Sequence, residues 1–247
     1  MTNLATIYIS CLLMLVACHK DNHKLAKTSP VTLHKDSVVS IQKKSCSSTA
    51  HYLDSLGLKN IAEIDSAIQV NLMYATPHNF TGEKLYGDLT EAYLHPDAVK
   101  ALTKAQRALH KYRPSYHLIV YDAARPMSIQ KKMWDVVKGT SKSIYVSNPK
   151  NGGGLHNYGL AVDISIADSS GTPLSMGTKV DHMGIESHIT QENQLVKSGK
   201  ITGQERQNRM LLRKVMKEGG FRTLPTEWWH FNLCNRSTAR QKYRLIP

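Results

Sequence analysis

The sequence predicts an α+β fold, with a mainly antiparallel sheet and flanking helices in a single domain. Helix and strand patterns intermix along the chain, without the regular strand–helix alternation that a parallel α/β sheet would need. Residues 160–166 alternate in side-chain character, as a strand with one aliphatic face does. The length of 247 residues suits one domain of ordinary size.

Three segments carry helix patterns, each bounded by residues that start or stop helices. Pro96 opens the first, which ends before Pro114. Ser128 is expected to cap a second helix that runs to Val137. A third is expected over 202–217, stopping at two consecutive glycines. The first helix is the most amphipathic, with an apolar face made of Val99, Leu102, Ala105, Leu109 and Tyr112.

Strands are predicted where short apolar runs alternate with polar residues or are rich in β-branched and aromatic side chains. A loop is expected over 74–87, because it contains Pro77, Gly82 and Gly87. The predicted strands are 68–73, 117–121, 160–166 and 228–233.

The N-terminus is typical of a bacterial export signal. Residues 4–17 form an apolar stretch, shorter than the ~20 residues that cross a bilayer. It ends in Leu15-Val16-Ala17-Cys18, which resembles the lipobox of lipoproteins, whose cysteine becomes the lipidated first residue. The first three residues lack the usual positive charge, and a buried N-terminal helix is the alternative. The resulting organisation is a lipoprotein signal peptide (1–17), a flexible tether (18–50) and a folded domain (51–247), held at a membrane of the cell envelope through Cys18 or released to the periplasm.

The net charge and the cysteines limit which binding partners and which kinds of metal site the sequence allows. The net charge of +13 and the pI of about 9.6 fit an anionic envelope surface better than nucleic acid. The basic residues are spread along the chain and form no recognisable nucleic-acid module. A thiolate zinc knuckle is excluded, because the sequence has no Cys-x-x-Cys pair. Cys46 and Cys234 could pair in an oxidising compartment.

Three short segments, 121–126, 155–163 and 227–230, supply the side chains of a candidate metal site. A catalytic zinc takes three protein ligands and keeps a fourth position open, and His156, Asp163 and His230 provide such a set. A buried, unpaired Asp163 would be costly, and a cation offsets that cost. We expect one zinc ion per chain, with Glu227 as the general base toward the water that zinc activates.

The spacing of these residues requires two irregularities in the backbone. His156 and Asp163 are seven residues apart, so one unbroken strand would aim them at opposite faces. A turn or bulge at Gly159 is therefore expected between them. Glu227 and His230 are three apart, which requires either a turn before the last strand or a bulge within it.

The same segments carry a family resemblance. Gly154, His156, Gly159, Ala161 and Asp163 occupy the spacing Ser-x-His-x-x-Gly-x-Ala-x-Asp, followed downstream by Glu-x-x-His. The chain thus resembles the VanX-type D-alanyl-D-alanine dipeptidases, zinc D,D-peptidases whose fold is shared with the hedgehog signalling domain. The resemblance covers residues 60–235 and implies that the folded domain is a hedgehog/D,D-peptidase-like zinc D,D-dipeptidase.

The resemblance also implies roles outside the ligand set. Arg125 matches the arginine that stabilises the oxyanion of the tetrahedral intermediate. Asp181 and Tyr74 match residues that shape the site for the ammonium end of the dipeptide. Trp228 and Trp229 are expected to be walls of the substrate pocket, one facing the core and the other the cleft, because neighbours in a strand alternate.

The implied activity is hydrolysis of the free dipeptide D-Ala-D-Ala, in cell-wall turnover or D-alanine salvage. Gly154 replaces the family serine, which affects one side-chain contact to the substrate's carboxylate or backbone. A carboxypeptidase or endopeptidase acting on peptidoglycan peptides is one alternative and would need an open groove. The other is a non-catalytic, metal-bound wall-binding domain, which the presence of Glu227 and Arg125 disfavours.

Overall fold

A five-stranded sheet forms the centre of the domain. In the computed structural model, which describes residues 47–247, its strands are β2 (Gln69–Val70), β4 (His117–Asp122), β5 (Ala161–Ala167), β6 (Arg222–Leu224) and β7 (Glu227–Asn232). Their order is β2–β4–β5–β7–β6, with β2 parallel to β4 and the other pairs antiparallel. A separate ladder joins β1 (Lys59–Asn60) to β3 (Tyr93–Leu94). The predicted α+β fold with a mainly antiparallel sheet is confirmed.

Two long helices pack against each other and against this sheet. Helix α3 (Pro96–Tyr112) contacts β4, and α6 (Gly203–Gly219) contacts α3 and β5. A Cβ at Gly219 would lie 2.6 Å from the carbonyl oxygen of Ala101, so only glycine lets the helices come this close. The remaining α-helices within the described residues are α1 (Ser48–Ser55), α2 (Ile61–Ile64), α4 (Met127–Val137), α5 (Glu192–Lys197) and α7 (Arg236–Lys242).

The predicted ends of these two helices are confirmed. Pro96 is the first residue of α3. Thr202 caps α6 and forms a capping box with Glu205, and Gly220 ends this helix with a φ of 107°. Helix α4 exists as predicted, but Ser128 does not cap it. The helix already begins at Met127, so Ser128 is its second residue, and the preceding Pro126 makes no side-chain cap.

The structure differs from the sequence-based expectation at three other places. The strand expected over 68–73 is reduced to β2, because a 3₁₀ turn follows at Met73–Ala75. The hairpin partner β6 was not predicted. Helix α1 begins at Ser48, within the predicted tether, and Ser47 caps it. The backbone and hydroxyl of Ser48 also donate to Asp88, which ties this helix to the domain.

The signal peptide, the lipidation of Cys18 and the pairing of Cys46 concern residues outside those the structure describes. Within 47–247, none of the helices combines the length and the apolar character that crossing a bilayer requires.

Candidate metal centre

The three predicted metal ligands converge from separate elements. His156 lies in a 3₁₀ turn, Leu155–Tyr158, and Gly159 follows it with a φ of 64°. This left-handed residue redirects the chain before β5, which is the break that the spacing required. Asp163 on β5 pairs directly with His230 on β7, so both side chains leave the same face of the sheet.

The ligand atoms form one small cluster. The carboxylate of Asp163 lies 2.9 Å from His230 Nδ1 and 3.3 Å from His156 Nε2. The two imidazole nitrogens are 3.2 Å apart. One atom from each residue therefore lies within 4.8 Å of the others, and two of the three residues are buried.

Outer hydrogen bonds fix the tautomers of both imidazoles. His156 Nδ1 lies 2.7 Å from the carbonyl oxygen of Ala123, and His230 Nε2 lies 3.0 Å from Asn232 Oδ1. Oxygen acceptors of this kind take the ring N–H, which leaves His156 Nε2 and His230 Nδ1 as bare acceptors. Two lone pairs and a carboxylate thus face one another, an arrangement that is unfavourable without a cation. The donor set fits a divalent metal of the zinc type.

Glu227 lies beside this cluster because β7 is irregular. The register between β6 and β7 shifts near Thr223 and Leu224, so Glu227 pairs with Leu224 while Phe231 pairs with Thr223. This bulge is the irregularity that the three-residue spacing required. The carboxylate lies 4.0 Å from His230 Nδ1. Burial raises the pKa of Glu227 to about 8, and a nearby cation would favour the ionised form.

Metal-free protein should become less stable as the pH rises from about 5 to about 8. The pKa of Glu227 is about 8 when folded and near 4.5 when unfolded, so over this range the folded state holds the proton more tightly. Ionisation then costs stability, on the order of 3 kcal/mol. Thermal unfolding in chelator, at about pH 5.5 and about pH 8, measures the loss. Glu227→Gln should make the dependence shallower without abolishing it, because the pKa of Asp181 is also raised, to about 7. An unchanged slope would contradict the raised pKa of Glu227.

Arg125 is held rigidly at the edge of the cluster. Its Nε donates to Asp122 Oδ2 at 3.0 Å, its Nη2 donates to the same oxygen, and its Nη1 donates to Gln130 Oε1 at 2.9 Å. The Nη2 atom also lies 3.9 Å from Asp163 Oδ2. The hydroxyl of Tyr86 donates to the other oxygen of Asp122. The guanidinium is therefore oriented before any substrate arrives, as a donor to developing negative charge must be.

Asp181 and Tyr74 meet on another side of the cleft. The Tyr74 hydroxyl donates to Asp181 Oδ2. Burial, then the charge of Asp163, raises the pKa of Asp181 to about 7. Asp181 has a φ of 63°, the only positive value for a non-glycine residue among those the structure describes. Such backbone strain is found mostly at functional sites, and here it directs a carboxylate into the cleft.

The side chains around the cluster enclose a cavity of about 220 Å³. Pockets for drug-sized ligands are larger, ~300–1,000 Å³. Trp229 lines the cavity, and its buried indole N–H has no hydrogen-bond partner among the described residues. Trp228, which was also expected to contact the substrate, does not line this cavity. Trp228 lines a separate pocket, donates to Thr178 Oγ1 at 2.7 Å and stacks against Arg209.

The structure adds residues that the sequence reasoning missed. Asn232 and Gln130, which orient His230 and Arg125, had no assigned role. Asn232 could have been found, because it lies two residues after His230 in one strand and so shares its face. Gln130 carries no such signal, because its contact depends on how α4 packs.

Three converging ligands, an adjacent buried carboxylate and an oriented guanidinium in a small cleft define a metal-dependent hydrolase. The chain belongs to the M15 peptidases described as the D-ala-D-ala dipeptidase family, whose profile matches residues 54–246.

Curated relatives support this membership. A D-alanyl-D-alanine dipeptidase of Escherichia coli (strain K12) is 31% identical over 180 residues, which cover 73% of this chain and 86% of that protein. A protein of the same name from Enterococcus faecalis is 28% identical, over 72% of this chain and 92% of its own length. Among solved structures, the LdcB LD-carboxypeptidase shows a distant likeness, with 21% identity and a TM-score of 0.37 over 60% of this chain and 63% of that one.

Proposed function

We propose that this protein is a zinc-dependent dipeptidase that hydrolyses free D-Ala-D-Ala. The observation that carries the proposal is the cluster of bare acceptor atoms from His156, Asp163 and His230 inside a cavity of about 220 Å³. A cavity of this size suits a very small substrate. Membership of a dipeptidase family and relatives named D-alanyl-D-alanine dipeptidase support the same substrate.

The chain's own residues divide the work of hydrolysis. A zinc ion bound by the three ligands would act as a Lewis acid and lower the pKa of water. Glu227 takes a proton from the attacking water and passes it to the leaving amine of the second D-alanine. Arg125 donates to the oxygen that gains negative charge. Asp181, with Tyr74, attracts the substrate's ammonium group.

We further propose that the enzyme acts in the cell envelope, where wall turnover would release the dipeptide for D-alanine salvage. The lipobox-like sequence ending at Cys18 and the net charge of +13 support this location. Mass spectrometry of the mature protein tests it. A soluble cytoplasmic protein that retains Met1 would rule out the anchor.

A peptide panel tests the function directly. We expect rapid hydrolysis of D-Ala-D-Ala, little or none of L-Ala-L-Ala or of a wall pentapeptide, and no activity after chelation. Added zinc should restore activity, because it re-forms the site. Release of D-alanine is the measurement. Preferential cleavage of the pentapeptide would indicate a wall peptidase instead. Metal binding without any hydrolysis would indicate a wall-binding domain.

A further inference from the structure

Position 154 is glycine for a reason that lies in a neighbouring loop. Gly154 has a φ of −108° and a ψ of −175°, an extended conformation that any residue adopts. However, a Cβ at this position would lie 2.8 Å from Ser147 Oγ and 3.3 Å from Ser147 Cβ. The side chain of Ser147 therefore occupies the space that a serine side chain at position 154 would take. The hydroxyl of Ser147 thus lies next to the position where a serine at 154 would place its own.

Hydrogen bonds fix the position of Ser147 relative to Arg125. Its carbonyl oxygen accepts a hydrogen bond of 2.8 Å from Gln130 Nε2. The Oε1 atom of the same Gln130 amide accepts a hydrogen bond of 2.9 Å from Arg125 Nη1. Gln130 is only 1% exposed, so this link is shielded from water. Both Ser147 and Gly154 line the cavity that contains the metal ligands. The backbone of Ser147 is thus fixed beside the cleft.

Arg236 brings a positive charge to this hydroxyl. It is the first residue of α7 and lines the same cavity. Its Nη2 donates to Ser147 Oγ at 3.2 Å. Arg125, in contrast, is already paired with Asp122. No ion pair of Arg236 is found among residues 47–247, where the cavity is otherwise rich in carboxylates. Arg236 therefore has charge and donors available for an anionic group of the substrate.

Resting on the proposed function, we propose that Ser147 and Arg236 form the subsite for the substrate's C-terminal carboxylate, replacing the hydroxyl that Gly154 lacks. A guanidinium and a hydroxyl side by side both donate to a carboxylate. Asp181 supplies the opposite charge for the substrate's ammonium group. The dipeptide is thereby bound at both ends, with its single peptide bond at the metal ligands.

Removing the charge tests the first half of the proposal. Arg236→Gln should raise KM for D-Ala-D-Ala about tenfold, because a charge-assisted hydrogen bond from an exposed side chain is lost, and should change kcat much less. D-Ala-D-Ala amide lacks the carboxylate, so the variant should lose most of the wild type's preference for the acid over the amide. Lys242→Gln removes a positive charge from an exposed position of the same helix and should change neither value. An unchanged KM and an unchanged preference in Arg236→Gln would overturn the proposal.

Moving the hydroxyl tests the second half. Ser147→Ala should raise KM several-fold, and Gly154→Ser alone should also impair binding, because its side chain meets Ser147. The double variant Ser147→Ala/Gly154→Ser removes the closest contact, the one of 2.8 Å to Ser147 Oγ, and returns a hydroxyl. Its KM should therefore lie closer to the wild-type value than that of either single variant. Thermal unfolding checks that each variant is folded. A double variant no better than Ser147→Ala would refute the substitution of one hydroxyl for the other. If the wild type hydrolyses no dipeptide, the proposed function itself fails.

Discussion

Glu227→Gln is expected to lower kcat for D-Ala-D-Ala roughly 10³-fold, within the range that a lost general base costs, while the protein still binds one metal ion. The amide keeps the shape of the side chain but cannot accept the proton of the attacking water. Glu227 lies 4.0 Å from His230 Nδ1, beside the ligand cluster and outside the set of three ligands. Loss of the carboxylate should therefore stop proton transfer without emptying the site. Steady-state kinetics and metal analysis of the same sample measure both effects.

A surface carboxylate provides the matched control. Glu83→Gln changes the same chemical group at an exposed position and should leave kcat and metal content unchanged. Undiminished turnover by Glu227→Gln would show that another group is the base. Loss of metal from this variant would instead place Glu227 among the ligands.

The position of Glu227 also shows how far the sequence could predict the site. Alternation along a strand cannot place residues three apart on one face, so the sequence alone requires an irregularity between Glu227 and His230. The structure supplies it as a bulge between β6 and β7. The break between His156 and Asp163 was predicted in the same way and lies at Gly159. Residues an odd number of positions apart in one strand point to opposite faces of the sheet. The residue count alone therefore predicts that the strand must be interrupted.

The two tryptophans mark the limit of that argument. Alternation predicted that one faces the cleft, and Trp229 does so, while Trp228 lines a separate pocket. The sequence could not assign which residue faces which way, because the bulge changes the count within β7. The contact between Ser147 and Arg236 could not be predicted from the sequence at all. Their contact joins residues 89 positions apart and depends on how the loop before the metal motif folds back on α7.

His230→Ala should remove both metal and activity, whereas Asn232→Ala should weaken metal binding without abolishing it. His230 provides one of three ligands, and the remaining two leave a divalent ion poorly held. Asn232 accepts the hydrogen bond from His230 Nε2 at 3.0 Å and fixes the tautomer that presents Nδ1 to the cluster. Loss of such an outer partner typically weakens metal affinity ~10–100-fold. Metal titration of each chelator-treated variant gives the affinities.

The order of these two effects distinguishes a built metal site from a cluster of polar side chains. If the acceptor atoms face one another because they hold a cation, activity lost in Asn232→Ala should return when zinc is raised about 100-fold, in step with the weakened affinity. His230→Ala should not recover, because the missing ligand cannot be compensated at practical zinc concentrations. Normal metal content in His230→Ala would show that the ion lies elsewhere. An Asn232→Ala variant with wild-type affinity would show that the tautomer is set without this amide.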